Sequence, residues 1–223
     1  MARLPKDRDT HLTPEEIVVE ALRQFDEGKA EPSIRSLAAA LRVAPSAIYH
    51  HFGSRGEIIE RCVEGVWLEA VDELLSIEPR PLEADPADVL VATGVATRRA
   101  WLRHVHLSPY LAASPEMSEF TRNAFLLMGN LFARIGLDDE RGAVAFHAYS
   151  SFMIGSVLFA AGRQAANERL ARNGRPSRAG AGSSDPTRQP LEAMTNISST
   201  DPDRDERLFE NGLRRLVASL TSP

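Results

Sequence analysis

Side chains suited to holding a nucleic-acid backbone and reading its bases gather in one short stretch, SIRSLAAALRVAPSAIYHHFGSR, from Ser33 to Arg55. Phosphate oxygens are bound by guanidinium, hydroxyl and imidazole groups, whereas base edges must be touched by residues that reach into a groove. Ser33, Tyr49, His51 and Arg55 fit the first task. Arg35 suits either, since a guanidinium can bond guanine bidentately or clasp a phosphate. Ala44, Pro45, Ala47 and His50 fit base edges or thymine methyl groups, and Ser46 shares their outer side. The alternative for each is an ordinary solvated surface residue.

The elements around these residues read as a helix-turn-helix. Ser33 caps a helix in which Ile34, Leu37, Ala38 and Leu41 bury one face. Arg42-Val43-Ala44 makes a tight turn with one apolar plug, and Pro45 suits the first turn of a second helix whose Ile48 and Phe52 face the core. From Pro45 to His51 that helix is roughly 10 Å long at ~1.5 Å per residue, a length that fits end-on in a groove roughly 12 Å wide. Ahead of it, Thr13-Pro14-Glu15-Glu16 predicts a capped helix with Ile17, Val18, Ala21, Leu22 and Phe25 as its apolar stripe and Gly28 as its stop. The charged residues before Thr13 read as a mobile arm. Ser54 and Glu57 form a second capping box, opening a helix that runs from Ile58 to Leu75, too long to serve the small amino-terminal unit alone.

Further on, Pro79, Pro81 and Pro86 mark a linker, and Asp85-Pro86 starts a helix buried through Val89, Leu90, Val95, Ala96 and Trp101. Pro109 is expected to be a boundary. Ser114-Pro115 begins a helix through Met117, Phe125 and Phe132 that Gly136 ends. Ala143 to Gly162 is uncharged and of membrane-spanning length, yet it contains His147, Tyr149, Ser150, Ser151 and Ser156, so a helix buried on nearly all sides is expected instead of a span. Gln164 to Asp203 is rich in Gly, Ser, Pro and Arg and reads mostly as disordered loop. A last amphipathic helix starts near Asp205 with Leu208, Phe209, Leu213, Leu216, Val217 and Leu220. The expected fold is all-α: an N-terminal three-helix helix-turn-helix head over residues 1–53 and a larger C-terminal helical domain over 54–223, with 165–203 as the loop.

Composition excludes more than it assigns. Apolar residues at 43% and charged ones at 26% fit a globular, helix-rich chain. A net charge of -5 shows no broad basic field, and to Arg61 acids and bases nearly cancel, so a DNA partner rests on the motif alone. The single cysteine, Cys62, permits no internal disulfide, and the amino terminus has no apolar leader, so a cytoplasmic protein is expected. His104 and His106 converge on one ion only in an extended chain, and no cysteine or nearby carboxylate completes a set, so no metal and no cofactor is expected. No nucleophile elbow, phosphate loop, zinc-binding helix motif or carboxylate pair stands at the spacing catalysis needs, and an enzyme is not expected.

SIRSLAAALRVAPSAIYHHFGSRGEII resembles the amino-terminal head of the tetracycline-repressor (TetR) family of bacterial regulators, because Tyr49-His50-His51-Phe52, Arg55 and the apolar spacing occur together. Ser151-Phe152-Met153-Ile154-Gly155-Ser156-Val157-Leu158 and Phe209-Glu210-Asn211-Gly212-Leu213 are similar to the paired last helices of the tetracycline-repressor class, and Val105-His106-Leu107 to its hinge. The resemblance implies a homodimer bound to a palindromic double-stranded operator, released when a small effector in the second domain moves the long helix; a repressor is expected over an activator. One departure is Arg42, where such turns often carry glycine, at a cost of about 1 kcal/mol if its backbone is left-handed. The other lies in the effector site. By ungapped match, the polar positions that hold tetracycline and magnesium fall on Val71, Thr93, Thr97, Met128 and Phe159, while His106 is kept. A chelate needs oxygen and nitrogen donors, so a largely apolar effector is expected, with Trp101, His106, Met128, His147, Phe152 and Phe159 as contacts. His147 also reads as a core or interface histidine, and Met128, Phe152 and Phe159 as core. The alternative is an effector-independent dimeric regulator or activator with a packed C-terminal domain.

Overall fold

The computed structural model describes residues 12–28, 31–76, 84–111, 119–137, 139–172 and 202–221, and no strand occurs among them. The expected arm as far as His11, Pro79 and Pro81, the helix start at Ser114-Pro115 with Met117, and positions 173–201 of the expected loop lie outside the described residues; Leu12, the last residue of that arm, packs against the head core.

Local chemistry sets the boundaries of the head. Helix α1, Pro14–Asp26, begins where Thr13 Oγ1 accepts from the Glu16 N–H at 3.2 Å and the Glu16 carboxylate accepts from the Thr13 N–H at 3.0 Å. It ends at Gly28, whose φ of +61° is left-handed. Helix α2, Ile34–Leu41, carries a similar box built from two serines: Ser33 Oγ accepts from the Ser36 N–H at 3.0 Å, and Ser36 Oγ from the Ser33 N–H at 2.9 Å. The turn after it is left-handed at Arg42, φ 59° and ψ 41°, so the strain anticipated there is present. In return the Val43 N–H reaches the Ala38 carbonyl at 3.0 Å and Val43 itself is buried. Helix α3, Pro45–Tyr49, is five residues long, and backbone bonds extend its turn to Phe52.

Helix α4, Arg55–Leu75, leaves the head. Ser54 Oγ accepts from the Glu57 N–H at 3.2 Å, but the Glu57 carboxylate accepts from the Gly53 N–H, one residue earlier than a reciprocal box requires. Helix α5, Pro86–Arg103, is capped by Asp85, and a 3₁₀ helix, Val105–Tyr110, follows a change of direction at His104. Pro109 therefore lies inside a short helix and does not mark its boundary. Helices α6, Glu119–Arg134, α7, Asp139–Arg172, and α8, Pro202–Thr221, complete the body, with Gly136 at φ +82° turning α6 towards α7.

Two apolar clusters hold these helices. The first starts with Ile17, Phe25, Leu37 and Ile48 in the head, follows α4 through Ile58, Cys62 and Val66, and continues to Trp101, Leu107, Met153 and Val157 in the body. The second joins α5 to α8 through Leu90, Phe132, Tyr149, Phe209 and Leu213. Gly94 lets α5 approach α8 and α7: a Cβ there would stand 2.4 Å from Leu213 Cδ2 and 2.9 Å from the Tyr149 hydroxyl, which donates to the Leu90 carbonyl at 2.7 Å. Complete burial pushes the Tyr149 hydroxyl's pKa upward, so it stays a donor. Arg98, almost fully buried on α5, meets Asp205 of α8, which also accepts from Arg163 of α7 at 2.6 Å, and Arg98 lies 4.8 Å from the centre of the Phe209 ring. A buried guanidinium is tolerated when paired in this way.

Two expectations about α7 need correction. Residues 165–172 are helical, because Ala165, Ala166, Glu168, Leu170 and Ala171 are helix formers and the loop composition begins only beyond them. The uncharged run is buried on one side only. Ala145, Tyr149, Met153 and Val157 pack inward at intervals of four, whereas Val144, His147, Ser151, Gly155, Leu158 and Phe159 face outward in this single chain. By length and composition alone, Glu140–Arg172 could cross a membrane; its inward stripe is packed into the two protein cores.

Candidate DNA-reading face and the seam behind it

Ile48 and Phe52, buried on the inner side of the α3 turn, force the intervening residues outward. Pro45, Ser46, His50 and His51 are exposed, Ala44 is half-buried, and Tyr49 keeps 56% of its surface accessible although it is a large ring. An aromatic exposed to this degree on a five-residue helix is available to a partner. Ala47 corrects the expected set: at 3% exposure it is sealed into the head core, because in so short a helix the Ala47–Ile48 edge is the one turned towards α2. Ser33 and Arg35 are exposed at the start of α2. The Ser33 hydroxyl is already occupied as a cap, and Ser36 extends the local network to Gln24 at 2.8 Å.

Arg55, the first residue of α4, stands at the rim of this face and is ion-paired with Glu31. Glu31 also accepts from the Tyr110 hydroxyl at 2.7 Å. Neither Glu31, two residues before Ser33, nor Tyr110 is among the expected contacts, and Tyr110 is joined to the motif only by the fold. Their contact belongs to a seam in which the 3₁₀ helix and the end of α5 lie against the head. Tyr110 packs edge-on to Phe25 at 6.0 Å between ring centres, and the His106 ring lies so close over Gly28 that a Cβ there would be 2.7 Å from Nε2. His104 sits between two carboxylates, Nδ1 at 3.0 Å from Asp26 of α1 and Nε2 at 3.0 Å from Glu69 of α4. His104 and His106 are thus directed to different neighbours. Among the described residues no group of three or more potential ligands could hold a metal ion.

The six expected effector contacts are not brought together. Trp101 is fully buried edge-on to Trp67, His106 belongs to the seam, and His147 is exposed. Phe152 is stacked on Phe209 at 5.5 Å, Phe159 is 58% exposed beneath Arg163, and Met128 packs against the second cluster. Helical spacing placed these residues on known helices without fixing which face each helix turns inward. A groove of about 430 Å³ opens elsewhere, between α6 and the start of α7, lined by Phe125, Gly129, Phe132, Ala133, Leu137, Gly142, Ala143 and Phe146. Phe146 meets Phe125 and Phe132 edge-on.

A short, outward-facing helix at the end of a helix-turn-helix, carried on a larger helical body, defines a DNA-binding regulator of transcription. The family models agree: residues 17–62 match bacterial regulatory proteins of the tetR family and residues 78–222 match the tetracyclin repressor-like C-terminal domain. The chain belongs to the TetR family. No curated protein sequence matches it. Among solved structures it is similar to apo ActR from Streptomyces coelicolor, with 25% identity over 94% of this chain and 95% of that one and a TM-score of 0.66. ActR in complex with actinorhodin is similar to the same degree, at 25% identity, the same two coverages and a TM-score of 0.65. TetR from Acinetobacter baumannii AYE shares the fold at 23% identity, 93% of this chain, 96% of that chain and a TM-score of 0.68.

Proposed function

We propose that this regulator is a repressor that binds a palindromic operator as a homodimer and lets go when a small, largely apolar effector occupies its C-terminal domain. The observation that carries the reading is the solvent-facing set on α3, Pro45, Ser46, Tyr49, His50 and His51, anchored by buried Ile48 and Phe52. In it, Arg35 and His50 address bases, Pro45 and Ala44 touch base edges or thymine methyls, and Ser33, Tyr49, His51 and Arg55 address phosphates. The functional division is a head at 1–53 and an effector and dimerisation domain at 54–223. The outward stripe of α7 with exposed Leu208 of α8 supports pairing with the same two helices of a second subunit. The ligand complex of ActR and the aromatic groove between α6 and α7 support an effector. Linkage supplies the mechanism: an effector that favours the DNA-incompetent arrangement weakens operator affinity by the factor by which operator weakens the effector's.

Tyr49→Ala should weaken binding to an operator duplex in a gel shift while leaving the oligomer intact; unchanged binding would remove Tyr49 from the interface. A Cβ on Gly155 meets nothing within 4 Å among the described residues, so Gly155→Glu places its charge on the outward side of α7. It should give monomers by sedimentation, and a persistent dimer would contradict the pairing. The burial of Trp101 favours the second reading, a packed body without an effector; a thermal-shift screen of small apolar compounds separates the two.

A further inference from the structure

Glu31 uses its two carboxylate oxygens on opposite sides of the seam. Oε1 accepts from the Tyr110 hydroxyl of the body at 2.7 Å, while Oε2 accepts from Arg55 Nη2 at the edge of the DNA-reading face. Protonation is settled at each end: the Tyr110 and Arg55 hydrogen bonds hold the Glu31 carboxyl below its usual range, and burial, then Glu31, pushes the Tyr110 hydroxyl up. At neutral pH the tyrosine donates, the glutamate is an anion and the arginine a cation. Arg55 is incompletely satisfied in this arrangement, since its buried Nε has no hydrogen-bond partner among the described residues. A carboxylate beside a phosphate-binding guanidinium offers the same recognition chemistry as the DNA backbone and repels that backbone when left unpaired.

We propose that Glu31 is a built-in competitor for the DNA phosphate at Arg55, and that Tyr110 is a positioning residue that couples the place of this competitor to the 3₁₀ helix of the body. The proposal rests on the reading of Arg55 as a phosphate contact. Movement of the 3₁₀ helix carries the Tyr110 hydroxyl, redirects Glu31 and changes the availability of Arg55, so the body reaches the DNA contact by a route that does not pass along α4.

The test is a set of operator titrations at several salt concentrations, on a duplex selected from a random library by the wild-type protein. Glu31→Gln should raise affinity roughly two- to five-fold, the scale of an exposed ion pair, and steepen the salt dependence by up to about 0.9 in log–log slope, one additional phosphate neutralised. The gain should vanish when Arg55→Ala is also present. Tyr110→Phe keeps the ring against Phe25 and removes only the donor; it should change affinity in the same direction and do nothing further once Glu31→Gln is in place. If Arg55→Ala binds as wild type, Arg55 does not contact phosphate and the proposal falls with that reading. Where Arg55→Ala weakens binding but Glu31→Gln gives no gain, or gives the same gain without Arg55, the phosphate contact stands and the competitor is overturned. A Tyr110→Phe effect that persists beside Glu31→Gln overturns the part assigned to Tyr110.

Discussion

The head and the body bury their apolar residues on different terms. In the head, helices of 13, 8 and 5 residues each start at a cap or a proline and bury a few contacts in a shared centre. In the body, helices of up to 34 residues bury one stripe and leave another in solvent. Short elements must be specified locally because they have little surface to gain by packing, whereas long ones can be specified by their partners. The two regions are nevertheless not independent, since the first apolar cluster runs without a break from Ile17 to Val157.

Trp101→Ala attacks that continuity most directly. Its ring is fully buried and packs edge-on against Trp67, so removal should cost about 3–5 kcal/mol. In denaturant, head and body should lose structure together; separate transitions for the head and the body would show that the cluster does not couple them. Gly94→Ala probes the second cluster alone. The new Cβ meets Leu213 and Tyr149, so a loss of about 1–3 kcal/mol is expected by thermal melting. A neutral Gly94→Ala would mean that α5 and α8 are not held as closely as described. Arg42→Gly has the smallest effect, and a favourable one. It relieves the left-handed backbone at φ 59°, partly offset by the greater freedom of glycine in the unfolded chain, so a gain of about 1 kcal/mol or less is expected. A loss of stability on chemical denaturation would show that the Arg42 side chain contributes more than its backbone costs.

The contrast between the regions also explains what was legible in the sequence. Thr13 with Glu16, Ser33, Gly28 and Pro45 act on neighbours within four residues, so their chemistry could be read directly and the head appeared as it is. Ala47 was misassigned because one step of rotation on a five-residue helix decides whether a methyl group faces DNA or core. On α7 an uncharged run carries no polar face to orient it, and the buried stripe is selected by its neighbours, α5, α6 and α8 around Tyr149 and α5 with the 3₁₀ helix around Val157. The Tyr110–Glu31–Arg55 contact joins residues 24 and 79 positions apart, beyond any local pattern. The effector expectation failed to converge for the same reason: ungapped matching places residues on helices but does not turn the helices.

In the proposed assembly two copies of the α3 face read a two-fold symmetric site. A hydroxyl-radical footprint of the full-length protein on a selected duplex tests it directly. Two protected patches related by a dyad are expected, their centres one helical turn, about 34–36 Å, apart or a whole multiple of it, and both lost in Tyr49→Ala. A single unsymmetrical patch, or the same protection with Tyr49→Ala, would contradict it.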